Sequence, residues 1–406
     1  YLMTSDIREQ FPVLQQLLNN KPLIYFDNGA TSQKPYQVIH EIEDFYCRYN
    51  SNVHRSINPL AEEATNKYEH ARKNVASFIN AYHYREVVFT KNATESINLF
   101  AHSWGGTHLK EGDIVLTTIA EHHANIVPWL QLKNTIGIQI KYIPLTTSGE
   151  LDLEEAYEML SDPKVKLLTM VHVSNTLGTI NEIEKLTKVA KQNNITVMID
   201  GSQAIPHLQV DVQMIDCDFY VFTGHKMFAP TGVGILYGKE TILNDIPPYQ
   251  GGGDMIKTVT FEKTTYNCLP HKLEAGTPNI VGGIGLAAAV NYMNTIGIDK
   301  IEAYEHELLT YATAQIKQIE GVRIIGEADQ KASVLSFLVE GTHPSDIGMI
   351  IDKLGVAIRT GHHCTEPLMS RFEIPGTARA SFAFYNTFEE IDVFINALKR
   401  AINMLL

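Results

Sequence analysis

The chain has 406 residues, of which 44% are hydrophobic and 19% charged, and its formal net charge is −13. This length and composition predict a globular protein of two domains with a large core. The acidity and the lack of a Lys/Arg-rich run argue against a nucleic-acid-binding or membrane-surface protein. The most apolar stretch, 280–290, is too short to span a bilayer, and we expect no signal peptide and a cytoplasmic location.

The cysteines point to the same compartment. Cys47, Cys217, Cys268 and Cys364 are scattered without CxxC spacing. This pattern excludes a zinc ribbon and argues against a disulfide framework, so it is typical of a reducing cytosol. We expect no bound metal.

Short β-rich runs alternate with helical patterns through the first two thirds of the chain. The runs lie at 86–90, 114–119, 138–143, 166–173, 195–200, 219–224 and 233–238. Their continuous apolar character predicts strands buried on both faces, and hence an α/β fold with a mostly parallel seven-stranded sheet. After about residue 296 the order of helices and strands is mixed. We therefore assign 21–295 to a large domain, and 1–20 with 296–406 to a smaller α+β domain.

Polar residues follow two neighbouring runs where ligands of such sheets bind. Asp200 and Gln203 follow one run, and Thr223, His225 and Lys226 follow the next. A lysine that binds a carbonyl, an acid beside a ring nitrogen and phosphate donors between them are what pyridoxal phosphate needs. Two simpler interpretations stay open: Asp200 as the cap of a helix, and Lys226 as a surface lysine with a snorkelling stem.

Three further strand ends carry candidate side chains. Thr94 opens a helix whose backbone N–H groups could bind the same phosphate, although it could equally be a plain N-cap. His122 and His123 follow the second run, where a histidine is either an ordinary loop residue or a ring stacked on a flat cofactor. Asn175, after the fourth run, would reach the cofactor ring or the substrate. We expect these ends to converge on one cofactor.

Motifs over nearly the whole chain resemble those of a known family. DGSQ (200–203) and TGHK (223–226) resemble the core of class V, fold-type I pyridoxal-phosphate enzymes. RTGHHC (359–364) is the most specific of the motifs that resemble the SUF-type (group II) cysteine desulfurases of iron–sulfur cluster assembly, which are similar to selenocysteine lyases. The other matching segments are YFDNGATSQKP (25–35), NVHRSIN (52–58), EHHANIVPW (121–129), HVSNTLGT (172–179), EAGTPN (274–279) and RASFAFYNT (379–387).

The resemblance implies a fold-type I large domain that holds pyridoxal 5'-phosphate and a small domain that carries the catalytic-cysteine loop. It implies the following cofactor contacts: Lys226 covalently, His123 stacked on the ring as a catalytic residue, Asp200 at the ring nitrogen, Gln203 at the ring hydroxyl, Thr94, Thr223 and His225 at the phosphate, and Gly252 and Thr277 at the phosphate of the partner subunit.

The resemblance also implies the reaction and its partners. L-cysteine, or L-selenocysteine as a second substrate, would be bound by Arg379 with Arg359 and Asn175 nearby. In a homodimer, His54 or Arg55 would reach the substrate of the other subunit. Cys364 would accept sulfur as a persulfide, leaving L-alanine. An acceptor protein of SufE or SufU type would then collect the sulfur.

Alternative functions share part of this set. A selenocysteine lyase, a kynureninase-like hydrolase or an aminotransferase would keep Asp200 and Lys226 without needing a nucleophilic thiol. A non-catalytic scaffold is opposed by the presence of Lys226. Cys364 could also be a small core residue, although Gly-His-His-Cys-Thr is typical of a polar loop. The neighbouring histidines, His362 and His363, with the two arginines, are a setting that favours the thiolate.

Overall fold

The computed structural model of the chain describes residues 4–406, so the first three residues of the expected segment 1–20 lie outside it. Asn58 caps the first long helix, since its Oδ1 accepts a hydrogen bond from Ala61 N at 3.0 Å, and a proline occupies the first helical position. The elements before residue 80 are α1 (Thr4–Glu9), β1 (Leu17–Leu18), β2 (Lys21–Pro22), β3 (Ile24–Tyr25), α2 (Tyr36–Asp44) and α3 (Pro59–Phe78).

The seven predicted runs form one seven-stranded sheet. Its strands are β4 (Val87–Thr90), β5 (Ile114–Thr118), β6 (Gln139–Ile143), β7 (Val165–Val171), β8 (Thr196–Asp200), β9 (Phe219–Thr223) and β10 (Gly234–Gly238), in the order β4-β10-β9-β8-β7-β5-β6. Strands β5 to β9 pair in parallel, whereas β10 runs antiparallel to both β4 and β9. The expected mostly parallel α/β fold is confirmed.

Both faces of this sheet are buried. In β7, only Lys166 is exposed. Neighbouring residues of the strand enter different clusters: Leu168 belongs to one hydrophobic cluster and Leu167 to another, which also contains Trp129. The helices of this region are α4 (Ala93–Phe100), α5 (Gly106–His108), α6 (Val127–Ile136), α7 (Leu153–Leu160), α8 (Ile183–Gln192), α9 (Val212–Ile215) and α10 (Glu240–Asp245). The buried strands position their polar C-terminal ends along one edge.

A hairpin and two long helices follow the sheet: β11 (Ile256–Val259), β12 (Thr264–Tyr266), α11 (Ile280–Ile296) and α12 (Ile298–Ile316). Helix α11 packs against α2 and α3 and is buried over most of its length. No single helix within residues 4–406 is long and apolar enough to cross a membrane; α11 and α12 pass such a test only as a pair, and the pair is bent by 76°.

The C-terminal part forms a four-stranded antiparallel sheet in the order β13-β14-β17-β16, with helices packed on it. Its elements are β13 (Val322–Ile325), β14 (Val334–Val339), α13 (Pro344–Lys353), β15 (Val356–Ala357), β16 (Arg359–Gly361), α14 (Glu366–Phe372), β17 (Thr377–Ser381) and α15 (Phe388–Leu405). Helix α15 begins with a capping box, in which Thr387 and Glu390 exchange side-chain and backbone hydrogen bonds.

The N-terminal segment differs from the expected domain division. Strand β3 pairs in parallel with β15, and Ile24 and Phe26 belong to the core of the C-terminal sheet. These residues, which we assigned to the large domain, therefore pack with the small one. Phe11 is fully buried and contacts rings on both sides of the assigned division, with centroid distances of 6.2 Å to Phe228 and 4.6 Å to Tyr385. The segment thus joins the two parts.

Candidate active site

A cavity of about 250 Å³ lies at the carboxyl ends of the central strands. Segments from the N-terminal loop and the C-terminal sheet complete its wall. Ten of the predicted site residues line it: Thr94, Asn175, Asp200, Gln203, Thr223, His225, Lys226, Arg359, Cys364 and Arg379. The structure therefore brings together residues that are up to 285 positions apart, from Thr94 to Arg379.

Lys226 and Asp200 form the electrostatic centre of the cavity. Burial is the main cause of the low pKa of Lys226, about 8; Asp200 opposes the shift, and the two arginines of the cavity add to it. Asp200 is buried, and its Oδ1 accepts hydrogen bonds from Ser202 N at 3.0 Å and Ser202 Oγ at 2.7 Å. The next helix, α9, is capped by Asp211, so Asp200 is not a helix cap. Lys226 faces the cavity and is not a surface lysine.

The side chains at one end of the cavity suit a phosphate. The hydroxyl of Thr223 is buried and has no hydrogen-bond partner among residues 4–406. Thr94 lies in the first turn of α4, whose N-cap is Asn92, since Asn92 Oδ1 accepts a hydrogen bond from Glu95 N at 2.8 Å. Thr94 is therefore not the cap that we considered. It contributes to a wall of hydroxyl and helix N–H groups, which binds anions well.

Other buried polar atoms of the cavity also lack a partner within the described chain. They are Asn175 Oδ1, Gln203 Oε1 and Arg379 Nε. Buried polar groups in folded proteins are almost always hydrogen-bonded, so several unpaired atoms around one cavity point to a polar ligand. Donors, acceptors, an amine and a carboxylate are all present in the wall.

Arg379 is the buried cation of the cavity, with 1% of its surface exposed. Its Nη1 donates to Asn175 O at 2.9 Å and its Nη2 lies 3.2 Å from Asp27 Oδ1. Burial lowers its pKa, and Asp27 raises it. Arg359 lies directly opposite Arg379 in the register of β16 and β17. The guanidinium groups of Arg359 and Arg379 face only one protein carboxylate, that of Asp27. The remaining positive charge is available to bind the carboxylate group of a ligand.

Cys364 occupies a tight turn between β16 and α14. His363 and Cys364 have positive φ angles of 52° and 58°. The turn is fastened by Asn175 Nδ2, which donates to His363 O at 2.8 Å, and by His123 N, which donates to Cys364 O at 2.8 Å. Cys364 is half-buried, so it is a cavity residue with limited reach and not a core residue.

The expected help of both neighbouring histidines for the thiolate needs correction. Burial, with a smaller contribution from the two cavity arginines, lowers the pKa of His363 to about 3. His363 is therefore neutral at neutral pH and cannot stabilise a thiolate by its charge. His362 accepts a hydrogen bond from Cys364 N through Nδ1 at 3.2 Å. The positive charges near Cys364 in the cavity come from Arg359, Arg379 and Lys226.

The structure also corrects the position expected for His123, which lies outside the wall of the cavity where a ring would bind. His122, the preceding residue, lines the cavity, and burial followed by the charge of Lys226 lowers its pKa to about 4. His123 points instead to the cysteine turn, where its Nε2 accepts a hydrogen bond from Glu366 N at 3.1 Å.

The residues predicted to reach a partner subunit lie outside the lining of the cavity. His54 Nε2 is 2.8 Å from Glu69 Oε1, Arg55 is paired with Asp254 at 2.8 Å, and Asn52 Nδ2 donates to Thr277 Oγ1 at 3.4 Å. Gly252 is exposed beside this group. His54, Arg55, Gly252 and Thr277 thus lie on neighbouring segments, and their action on a second subunit stays a prediction.

Comparison with known proteins agrees with the geometry. The chain is 48% identical over 395 residues to a cysteine desulfurase of Synechococcus elongatus, covering 97% of this chain and 63% of that protein. A probable cysteine desulfurase of Xylella fastidiosa is 47% identical over 399 residues, covering 98% and 95%. The chain spans about three fifths of the length of the first curated relatives it matches.

Solved structures and a family profile give the same result. The apo cysteine desulfurase of Thermococcus onnurineus superposes with a TM-score of 0.94 at 39% identity, covering 99% of this chain and 98% of that one. The cysteine desulfurase CsdA of Escherichia coli gives a TM-score of 0.93 at 37% identity, and each chain is covered completely. The Aminotransferase class-V profile matches residues 24–394. The chain therefore belongs to the class-V aminotransferase family.

Proposed function

We propose that the chain is a pyridoxal-phosphate-dependent cysteine desulfurase that converts L-cysteine to L-alanine and a persulfide on Cys364. The observation that carries the proposal is the position of this thiol, which lines the same cavity as Lys226, Asp200 and Arg379. A desulfurase needs a thiol beside the lysine, whereas an aminotransferase does not. The names of the relatives at 47–48% identity support the same activity.

The cavity fits the cofactor. Lys226 would bind it covalently, Asp200 would pair with the ring nitrogen, and the unpaired Gln203 Oε1 and Thr223 Oγ1 would contact the ring hydroxyl and the phosphate. His122, which lines the cavity, would face the ring in place of His123. When bound, pyridoxal phosphate supplies an electron sink that acidifies the Cα–H of an attached amino acid.

The residues of the chain supply the remaining steps. Arg379 binds the substrate carboxylate through its free Nε, with Arg359 adding positive charge. The amine of Lys226 takes the Cα proton, since its lowered pKa leaves part of it neutral near pH 7. Cys364 attacks the substrate sulfur as a thiolate: an S–S bond forms on Cys364, the substrate C–S bond breaks, and the carbon fragment gains a proton to leave as alanine.

The fate of the sulfur belongs to the same proposal. Cys364 sits on a turn whose carbonyl groups at 363 and 364 are both hydrogen-bonded, so the persulfide stays at the cavity. An acceptor protein of SufE or SufU type would approach with its own thiol or metal, in the cytoplasm, to serve iron–sulfur cluster assembly. We also propose a homodimer in which His54, Arg55, Gly252 and Thr277 serve the second subunit.

The test is to incubate the purified holoenzyme with L-cysteine, with and without each acceptor, and to measure alanine, sulfide and protein persulfide. Cys364→Ala should lower alanine formation on the order of 100-fold or more while the cofactor absorbance remains. Cys47→Ala, at an exposed cysteine outside the cavity, is the matched control and should change nothing.

The Cys364→Ala variant also distinguishes a cysteine desulfurase from a selenocysteine lyase. A selenocysteine lyase would keep its turnover of L-selenocysteine without the thiol, because C–Se cleavage needs less assistance. If Cys364→Ala still forms alanine from cysteine at the wild-type rate, the nucleophile assignment is wrong and the lyase is favoured.

A further inference from the structure

Glu121 is a fully buried carboxyl group directly before His122. Its Oε1 accepts hydrogen bonds from Thr118 Oγ1 at 2.7 Å and from Val171 N at 2.8 Å, and its Oε2 accepts one from Asn125 Nδ2 at 2.8 Å. A buried carboxylate with three donors is held in one position. None of the catalytic steps above uses it.

The partners of Glu121 are oriented so that they can only donate. Asn125 Oδ1 already accepts hydrogen bonds from Trp129 Nε1 at 3.0 Å and Thr169 Oγ1 at 2.8 Å, so its amide cannot be turned round. Thr118 Oγ1 accepts from the backbone N–H two residues later at 3.1 Å, which leaves its hydrogen for Glu121. An amide at position 121 would place a donor against a donor.

The three donors come from three different elements: the end of β5, the end of β7 and the turn before α6. Val171 also lines the cavity and is the register partner of Asp200. We propose that Glu121 is a positioning residue whose carboxylate ties these elements together and so fixes the backbone from which His122 enters the cavity. This inference rests on the proposed function, in which His122 faces the cofactor.

Burial and the donor set act in opposite directions on the charge of Glu121. Burial is the largest influence and, with a smaller contribution from Asp200, raises the pKa of Glu121 to about 8, whereas the three donated hydrogen bonds oppose this shift and favour the ionised form. All three donors match an ionised carboxylate, and a protonated oxygen would have no acceptor. The informative change is therefore Glu121→Gln, which keeps the size and removes the acceptors.

A double-mutant cycle with His122→Ala tests the proposal. Glu121→Gln should weaken the binding of pyridoxal phosphate, shift the absorbance of the bound cofactor and lower kcat/KM by about tenfold or more. In the His122→Ala background, Glu121→Gln should lower kcat/KM by no more than about twofold, since Glu121 acts through His122.

Glu86 provides a matched control. It is also buried and accepts three backbone hydrogen bonds, from Tyr82 N at 2.9 Å, His83 N at 3.1 Å and Glu240 N at 3.1 Å, but it does not line the cavity. Glu86→Gln should lower the thermal midpoint much as Glu121→Gln does while leaving cofactor affinity and absorbance unchanged. A purely structural role for Glu121 would make the two variants alike.

The inference is overturned if Glu121→Gln has the same effect with and without His122, or if Glu86→Gln causes the same loss of cofactor affinity. If Glu121→Gln does not fold, Thr118→Val removes one donor and goes through the same cycle, with a smaller factor expected. Cofactor affinity is measured without turnover, so a wild-type protein that binds cofactor but does not act on cysteine would refute the proposed activity and leave the Glu121 result interpretable.

Discussion

The amine of Lys226 should be far more reactive in the apoprotein than an ordinary lysine. Burial brings its pKa to about 8 from the usual 10.5. At pH 7 about 9% of such an amine is neutral, against about 0.03% at the ordinary value, a gain of roughly 300-fold. Only the neutral amine attacks a carbonyl, so the rate of capture of pyridoxal phosphate should rise up to about pH 8 and level off above it.

The assay follows the initial rate of cofactor capture by the apoprotein as a function of pH, with borohydride trapping and peptide mapping to locate the modified lysine. Asp200→Asn should move the midpoint below 8, because Asp200 raises the pKa of Lys226. Lys331→Gln, which changes a similarly buried lysine outside the cavity, should leave it unchanged. A rate that climbs steadily to pH 10, or a label on another lysine, would refute the reasoning.

Four further variants have expected outcomes. His122→Ala should lower the turnover of cysteine by about tenfold or more and alter the cofactor absorbance, whereas His123→Ala should leave that absorbance unchanged, as a comparison of the two spectra would show. Arg379→Lys should raise the KM for cysteine about tenfold, because an ammonium cannot reproduce the planar guanidinium contacts. Phe11→Ala should destabilise the fold by about 3–5 kcal/mol in urea titrations, since the ring is fully buried among other aromatic rings.

The central sheet could be predicted because its strands are buried on both faces. Continuous apolar runs of five to seven residues leave a signal that survives without any tertiary information, as in β7 and β9. The exposed hairpin of β11 and β12 has no such apolar signal in the sequence, because most of its side chains face solvent. Strand β3 has two residues, too few for any periodicity, and its pairing with β15 follows from a long-range contact.

The site was predicted as a set more accurately than residue by residue. Strand ends meet at one edge of a parallel sheet, so the convergence of Asp200 and Lys226 follows from topology. Which of two adjacent histidines faces the cavity depends on the backbone direction after β5, and the sequence pattern is the same for both. The neutral state of His363 follows from burial in the cysteine turn, which only the folded arrangement shows.

The grouping of residues within one subunit can be tested by complementation in the proposed homodimer. Lys226 and Arg379 line the same cavity of one chain. A dimer formed from a Lys226→Ala subunit and an Arg379→Ala subunit therefore carries one defect in each cavity, so both sites are defective and subunit exchange should restore no activity. The outcome is the opposite when the two residues of one site come from different subunits. Thr277 is predicted to serve the other subunit, so a hybrid of a Lys226→Ala subunit and a Thr277→Ala subunit has both defects in one site and leaves the other site intact. About a quarter of the sites should then recover after equal mixing. Activity regained by the Lys226 and Arg379 pair, with exchange shown by differently tagged subunits, would mean that Arg379 serves the neighbouring cavity, contrary to its position here.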